Sequence, residues 1–203
     1  MSIKIVLFLA FPILFFGQKK KNGLDVVSNI EAKMIVMKPI GNNHLAELLS
    51  PFYGFGFAGN LMTPINFGVG LDYNVLFSNV KYGDQNRYGN IGSPTITNID
   101  FYLTHREIMS EDFSIEEMAG FSFYRHTNLL IDSKNQKIKN NATGFNVGGK
   151  ALYNLDREGH QQVFVAGKVN FYFTNVFNEN SEIQKFYNRS TFLSLNVGYR
   201  YNF

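Results

Sequence analysis

The chain has 203 residues, a length that fits a single domain. It contains no cysteine, which excludes disulfide bonds, a thiolate nucleophile, a cysteine-based metal site and the lipoprotein type of lipid anchor. The formal net charge of +3 is small and the basic residues are dispersed, so the sequence does not indicate a protein that binds nucleic acid.

The first element in chain order is an apolar run close to the first residue. Residues 1–17, MSIKIVLFLAFPILFFG, contain a basic residue and then an apolar run, and three lysines follow Gln18. This run is too short to cross a membrane as a helix, and its flanks are typical of a secretory signal peptide. We therefore predict a cleaved signal peptide over 1–17, a periplasmic segment over 18–28 and the main domain over 29–203. An uncleaved N-terminal anchor is the alternative, and the three lysines leave it open.

Beyond this segment, apolar and polar residues alternate with a period of two, which predicts β-strands. In the clearest run, residues 67–77, apolar side chains occupy the odd positions, and Gly, Asp or Asn occupies most of the even ones. The predicted strands are 29–37, 52–61, 67–77, 97–106, 113–125, 143–155, 163–175 and 192–203. Each strand approaches the about 9–11 residues that a tilted strand needs to cross a bilayer.

The connections between these strands alternate between long and short. Those after the first, third, fifth and seventh strands are long and polar, and the other three are short. This asymmetry is typical of an outer-membrane barrel with tight periplasmic turns and longer outer loops. We therefore predict an all-β fold, an eight-stranded antiparallel up-and-down transmembrane β-barrel. Its bulky face should meet lipid, and its small and charged residues should face the lumen, because eight strands leave room inside only for side chains.

Two charged residues fall on the face that should meet lipid. We expect Arg125 near the outer end of its strand, where its guanidinium could reach lipid phosphates. We expect Glu117 at the periplasmic rim or after a β-bulge. In the first long loop, Asn43 can cap a helical turn whose Leu45 and Leu48 share one face with Leu49. That face is expected to pack on the barrel mouth, with a small docking patch as the alternative.

The signal-peptide pattern, the eight alternating strands and the closing NVGYRYNF resemble the small outer-membrane β-barrels of Gram-negative bacteria. Examples are the transmembrane domain of outer membrane protein A and the outer membrane protein X type. The Gln at the expected cleavage point and the Asn-rich loops are most similar to versions from Bacteroidota. The resemblance implies location in the outer membrane, with outer-membrane lipids and lipopolysaccharide as partners. It also implies that Tyr199, Tyr201 and Phe203 form a signal read by the barrel-assembly machinery; a last strand that merely ends there is the alternative.

The lumen-facing positions carry four acidic and four basic residues. They are Glu31, Lys33, Asp72, Asp100, Glu116, Lys150, Lys168 and Arg200. Apart from Lys33, the acids lie on the first five strands and the bases on the last three, so they should face each other across the lumen. Because a buried unpaired charge is costly, we expect them to pair. We interpret the network as a polar plug, with a charged pore in a small porin-like protein as the alternative.

The sequence gives little indication of an enzyme. Some barrels that resemble this chain act on lipid A acyl chains through a His-x-Ser motif at the outer end, with a carboxylate close by. The nearest match is His126, but Asn128 stands where Ser would be, and Asp132 and Ser133 have the wrong spacing. We predict no catalytic residue, with a lipid A-modifying hydrolase that uses His126 as the alternative. The other histidines are scattered, so neither a metal site nor a cofactor is expected.

Taken together, these patterns predict a non-enzymatic outer-membrane barrel with a structural or adhesion-like role. The extracellular loops would then contact a partner outside the cell. A soluble periplasmic barrel that binds an apolar ligand inside is a further alternative. That alternative requires the apolar face of every strand to point inward.

Overall fold

The computed structural model describes most of the chain after the predicted signal peptide. The described residues are 26–84, 91–130, 136–175, 177 and 179–203. The predicted signal peptide over 1–17 lies outside them, as does most of the predicted periplasmic segment over 18–28. Within the described ranges, no helix is both long enough and apolar enough to cross a membrane.

The described residues form eight strands that close into one barrel. The strands are β1 (Val27–Ile40), β2 (Phe52–Met62), β3 (Phe67–Phe77), β4 (Ile91–Ile108), β5 (Phe113–Leu130), β6 (Gln136–Asn154), β7 (Gln161–Phe173) and β8 (Arg189–Asn202). Each strand pairs antiparallel with its neighbours in sequence, and β8 closes on β1. Closure leaves no strand edge unpaired, which is what a sheet needs inside a bilayer. The predicted all-β, up-and-down barrel is confirmed.

Several strands extend further than predicted at the end of the barrel that carries the long connections. β4 begins at Ile91, and β5 and β6 stay paired as far as Leu130 opposite Gln136. The predicted loops over 78–96 and 126–142 are therefore too long. Beyond the membrane neither face of a strand meets lipid, so the alternation that reveals a strand in the sequence fades while the backbone pairing continues. We call the paired part of β5 and β6 beyond Asn141 the hairpin extension.

The other end of β1 also differs from the prediction. β1 begins at Val27, inside the segment that was predicted to be periplasmic and outside the barrel. Its pairing with β2 starts there, opposite Met62. The barrel wall therefore includes the last residues of the 18–28 segment.

Two short helices lie in the connections at the long-loop end. They are α1 (His44–Leu48) and α2 (Ser181–Asn188). The side-chain oxygen of Asn43 accepts a hydrogen bond from the backbone N–H of Ala46 at 3.0 Å, so the predicted helix cap is present. Leu45 and Leu49 are 0% and 1% exposed and pack into the barrel mouth, as expected for this apolar face.

The two faces of the wall differ sharply in polarity. Outward positions carry exposed apolar side chains all around the barrel, among them Phe55, Leu103, Phe121, Val147 and Leu195. Inward positions near mid-height carry Asn, Ser and charged residues that are buried. The apolar face points outward, which is the opposite of what a soluble barrel with an apolar interior requires.

Candidate functional site

All eight predicted lumen charges are buried inside the barrel, and the geometry divides them into two clusters. In the first cluster, Arg200 on β8 lies between two carboxylates. Its Nε atom donates to Glu31 Oε1 at 2.8 Å and its Nη1 atom donates to Glu116 Oε1 at 2.6 Å. Lys150 on β6 reaches across the lumen and donates to Glu31 Oε1 at 2.6 Å. Lys150 Nζ also lies 3.7 Å from Glu116 Oε2, so each of the two carboxylates is neutralised by bases from two strands.

The second cluster lies beside the first and is built from two lysines and two aspartates. Lys33 Nζ donates to Asp72 Oδ2 at 2.5 Å. Lys168 Nζ donates to the same Asp72 oxygen at 2.9 Å and to Asp100 Oδ2 at 3.1 Å. Because β7 faces β3 and β4 across the barrel, Lys168 ties opposite walls together. We call the two clusters together the charged layer.

One further base belongs to the charged layer and was missed by the sequence analysis. Arg106 donates to Glu116 Oε1 from Nε at 2.9 Å and from Nη2 at 2.8 Å. It is the last residue of the predicted fourth strand, and its side chain has the same inward parity as that of Asp100. Counting inward positions to the end of that strand would have found it. With Arg106 the charged layer holds five bases and four acids.

Neutral groups fix the position of the charged side chains. The Tyr102 hydroxyl donates to Asn60 Oδ1 at 2.5 Å, and Asn60 Nδ2 donates to Glu31 Oε1 at 3.0 Å. The ammonium groups of Lys168 and Lys150 also lie over aromatic rings, 5.2 Å from the centre of Tyr102 and 4.7 Å from that of Phe164. Such cation–π contacts add to the pairing energy of buried ammonium groups.

The lumen near the mouth has a different character from the charged layer. There, buried apolar side chains and rings from all eight strands pack against two leucines of the first connection. The members are Ile35, Met37, Phe52, Leu76, Ile96, Tyr124, Ala142, Tyr172, Phe192, Leu45 and Leu49. We call this cluster the apolar layer. Its rings pack edge to face, with centroids 6.3 Å apart for Phe52 and Phe192 and 5.8 Å apart for Tyr172 and Phe192.

The apolar layer corrects the prediction that only small and charged residues face the lumen. Phe52, Leu76 and Phe192 stand on the inward parity of the predicted strands, so the signal was present in the sequence, whereas Ile96 lies just before the predicted fourth strand. It was missed because the polar residues at mid-strand dominated the interpretation of that face. The physical reason for the difference is that α1 covers the mouth, so this part of the lumen is shielded from water and favours apolar side chains.

Two histidines lie at the long-loop end of the barrel, one in α1 and one on β5. His126 is 2% exposed, and its buried Nε2 atom has no hydrogen-bond partner among the described residues. His44, in α1, lies with Nδ1 3.4 Å from the backbone oxygen of Phe186 in α2. Burial lowers the pKa of His44 below its usual value.

The geometry gives the hydrolase alternative no support. A buried His126 inside the wall is shielded from lipid acyl chains outside it. Asp132 and Ser133 lie outside the described residues. Among those that are described, no group of three His, Asp or Glu side chains is arranged to hold a metal ion.

The three residues of the expected assembly signal lie on the outer surface at the short-turn end. Tyr199, Tyr201 and Phe203 are each about two-fifths exposed, and the rings of Tyr201 and Phe203 are 5.2 Å apart. The backbone N–H of Phe203 donates to the Ser28 carbonyl at 2.9 Å. These residues therefore form part of the seam where β8 meets β1, and their role in assembly stays a prediction.

The two charged residues on the apolar face lie near opposite ends of β5. Glu117 is close to the short-turn end, with Oε2 3.7 Å from Nδ1 of the exposed His105. Arg125 is close to the long-loop end, where its Nε atom donates to Asn141 Oδ1 at 3.3 Å. Glu117 is paired in regular register with Gly149, so the suggested β-bulge is absent at this position.

Solved structures of bacterial barrels match this chain over most of its length. A major outer membrane protein from Thermus thermophilus is similar with a TM-score of 0.60 and 13% identity, over 87% of this chain and 99% of that one. Neisserial surface protein A is similar with a TM-score of 0.57 and 12% identity, over 88% of this chain and 97% of that one. Outer membrane protein OprG from Pseudomonas aeruginosa is similar with a TM-score of 0.56 and 11% identity, over 89% of this chain and 97% of that one. This chain has the fold of the small outer-membrane β-barrels.

The likeness at such low identity concerns the fold. No family model and no curated protein sequence matches the chain. The predicted transmembrane β-barrel of the outer-membrane type is confirmed by the closed eight-stranded wall, its apolar outer face and these structures.

Proposed function

We propose that this protein is a non-enzymatic outer-membrane barrel with a closed lumen, whose long-loop end carries a structural or surface-interaction role. The observation that carries this proposal is the filling of the lumen by two stacked layers. Ion pairs fill one, and packed rings with Leu45 and Leu49 of the first connection fill the other. An eight-stranded barrel has an interior just wide enough for side chains, so two filled layers leave no continuous column of water.

The pairing within the charged layer favours a plug over the porin-like alternative. A conducting pore needs charged groups that remain solvated and face a passing ion. Here Arg200 and Lys168 are each shared between two carboxylates, and both are buried. Pulling Arg200 or Lys168 away would separate two buried carboxylates from a shared base in a low-dielectric interior, which opposes opening of the layer.

Conductance of the purified barrel in a planar bilayer tests the closed lumen. We expect no steady ion current, with a sixteen-stranded porin as the positive control for the bilayer. A second sample carries Leu45→Ser and Leu49→Ser, which weakens the cover at the mouth but leaves the charged layer intact. It should also stay silent, because the charged layer alone blocks the lumen. Large, stable channels from the unchanged barrel would overturn the proposal and favour a small pore.

Two features at the long-loop end support a role in surface contacts. The hairpin extension exposes polar and basic side chains, including Lys137 and Lys139. In α2, Ile183 and Tyr187 are exposed beside Lys185, a mixture of apolar and charged groups that suits contact with another molecule.

Attachment of bacteria that express the protein tests this role. One variant replaces the hairpin extension by a two-residue turn, and the matched control replaces the same number of residues by alanine in the short connections at the opposite end. If the loops bind a partner, attachment to host cells or matrix should fall with the first variant only. Unchanged attachment with both variants, at equal surface levels, would exclude the adhesion-like role for the hairpin extension.

A further inference from the structure

We propose that the segment before β1, residues 18–25, docks beneath the barrel on the turns that join β4 to β5 and β6 to β7. The three lysines at 19–21 would then lie on the carboxylates of these turns. This inference goes beyond the proposed function, because it concerns the short-turn end and the chain's own N-terminal segment. It uses the predicted cleavage after Gly17, which leaves all three lysines in the mature chain.

The two turns carry an excess of negative charge. The turn between β4 and β5 contains Glu111 and Asp112, and the turn between β6 and β7 contains Asp156, Arg157 and Glu158. Four carboxylates and one guanidinium give a net charge of −3 with histidine neutral. We call residues 109–112 and 155–160 together the acidic turns. The three lysines of the segment carry a charge of +3, so the two partners have equal and opposite charge.

Hydrogen bonds join the acidic turns into one surface. The backbone N–H of Asn154 donates to the Asp112 carbonyl at 2.8 Å, and Asn154 Nδ2 donates to the Glu111 carbonyl at 2.8 Å. Within the second turn, the backbone N–H of Gln161 donates to Asp156 Oδ1 at 3.0 Å. The carboxylates of the two turns are therefore held together on one side of the short-turn end.

Two buried amide groups behind the acidic turns lack hydrogen-bond donors. Asn202 Nδ2 donates to the Gly159 carbonyl at 2.6 Å, and Gln162 Nε2 donates to Asn154 Oδ1 at 2.7 Å. The oxygen atoms of these two amides have no partner among the described residues, although Asn202 and Gln162 are only 6% and 5% exposed. A buried acceptor without a donor is unfavourable. A ligand that offers N–H groups therefore matches both the carboxylates in front and the amide oxygens behind.

The N-terminal segment is long enough to reach the acidic turns. The backbone N–H of Asn202 donates to the His160 carbonyl at 2.8 Å, so the turn over 155–160 lies under the end of β8, the strand that pairs with β1. This turn is about two and a half strand spacings, or about 12 Å, from β1. Lys21 is six residues before Val27, the first residue of β1, and six residues span up to about 20 Å. A docked segment would therefore cross part of the short-turn mouth.

Covalent attachment favours this contact over binding of a separate peptide. A segment tethered at β1 has an effective concentration in roughly the millimolar range at a surface within its reach. Exposed ion pairs are individually weak and are screened by salt. We therefore expect docking that is well populated at low ionic strength and lost at high ionic strength.

The turn between β2 and β3 provides a comparison within the same molecule. This turn, residues 63–66, carries no charged residue. It lies about one and a half strand spacings, or about 7 Å, from β1, which is nearer than the turn over 155–160. A segment that is positioned by its tether alone would lie at least as close to the uncharged turn. A preference for the more distant turn would therefore report the charge.

Distances between nitroxide labels on the full barrel in nanodiscs of zwitterionic lipid test the proposal. The chain has no cysteine, so labels attach only at introduced positions. One sample carries Gln18→Cys with Leu155→Cys, and the other carries Gln18→Cys with Ile65→Cys; both turn residues are more than half exposed. At about 10 mM salt, position 18 should lie closer to 155 than to 65. At about 1 M salt, where the Debye length is about 3 Å, this preference should disappear.

Charge removal provides the matched variants. Asp156→Asn with Glu158→Gln should lengthen the 18–155 distance at low salt as high salt does, and Asn keeps the acceptor for the N–H of Gln161. Glu107→Gln with Glu117→Gln is the control. It removes the same charge from exposed outward positions near the same end of β4 and β5, and the distance should stay unchanged.

Three results would overturn the proposal. One is a position 18 that stays closer to 65 at low salt, and another is an equal effect of the two double variants. The third is loss of the short 18–155 distance when phosphatidylglycerol is added to the bilayer, which would assign the lysines to the lipid surface. Conductance is independent of these distances. A barrel without residues 18–25 should stay silent in a planar bilayer, because the charged and apolar layers fill the lumen.

Discussion

Gly70 on β3 shows how tightly side chains fill the lumen. A Cβ atom at this position would lie 2.2 Å from Asn60 Oδ1 and 2.3 Å from Cζ of Tyr102, well inside contact distance. The missing side chain makes space for the hydrogen bond between the Tyr102 hydroxyl and Asn60, which in turn holds Glu31. One glycine is thus needed for the arrangement of the charged layer.

Gly70→Ala should therefore destabilise the barrel by about 1–3 kcal/mol, the usual cost of overpacking a filled interior. Gly167→Ala is the matched control, because Gly167 faces outward and a Cβ there meets nothing within 4 Å. Urea unfolding of both variants in lipid vesicles measures the difference. If Gly167→Ala costs as much as Gly70→Ala, crowding in the lumen is not the reason.

Arg200 is the residue whose loss should matter most within the charged layer. It is fully buried and donates to both Glu31 and Glu116, so Arg200→Met would leave two carboxylates with one base fewer. We expect a loss of roughly 3–5 kcal/mol in the free energy of unfolding, the usual effect of breaking a buried ion pair. Arg106→Met should cost less, because Arg106 is partly exposed and contacts one carboxylate. Unfolding curves that rank the two variants in the reverse order would contradict this assignment.

At the scale of elements, α1 is attached to its surroundings on several sides. The backbone N–H of Lys81 donates to the Leu48 carbonyl at 2.8 Å, and Lys81 Nζ donates to the Ala46 carbonyl at 2.5 Å. On another side, His44 meets α2, with its ring 5.1 Å from that of Tyr187. The mouth is thus covered by residues from three connections that lie far apart in the sequence, those between β1 and β2, β3 and β4, and β7 and β8.

The histidine in this assembly makes the docking of α1 sensitive to pH. Burial lowers the pKa of His44 below its usual value of about 6.5. The docked state of α1 therefore takes up a proton on His44 less readily than the undocked state does. Docking is therefore fully stable above about pH 6.5 and should weaken as the pH falls below it. Amide hydrogen exchange over residues 44–49 should accelerate between pH 7.5 and 5.5, after correction for the intrinsic rates. His44→Gln should remove most of the change, and an equal acceleration in that variant would assign it to another group.

At the scale of the whole molecule, the wall depends on the seam between β8 and β1. Arg200 lies directly opposite Glu31 in this pairing, so the seam that closes the sheet also joins two members of the charged layer. The outer side of the seam carries Tyr199, Tyr201 and Phe203. A single strand, β8, therefore closes the sheet, contributes to the charged layer in the lumen and carries aromatic residues on the outer surface.

We propose that this closing strand is also recognised by the barrel-assembly machinery. Deletion of Phe203 removes one half-exposed ring, so burial alone predicts a loss of roughly 1 kcal/mol. If the strand is an assembly signal, the same deletion should lower the amount of barrel in the outer membrane far more than it lowers the stability of refolded protein. Phe203→Tyr is the control that keeps an aromatic end. Normal insertion in cells after deletion would leave Phe203 with a packing role only.

The alternation of side chains was sufficient to predict the strands, the barrel and the membership of most of the charged layer. It works because a strand places successive side chains on opposite faces, so the position of a residue along the chain decides which face it joins. Arg125 and Glu117 were placed correctly on the outer face by the same rule. Strand ends were less well predicted, since residues beyond the membrane face water on both sides and lose the alternation.

The closed barrel was needed to show which of these residues meet. Parity placed Arg200 and Glu116 inside, but only the register and closure of eight strands bring them to 2.6 Å. In the same way, the apolar layer exists because eight strands and α1 bring their side chains together at the mouth. Parity is a property of each strand by itself, whereas pairing distances depend on how distant strands are staggered around the barrel. The order of residues along each strand therefore set the two faces of this protein, and the closure of the sheet set its contacts.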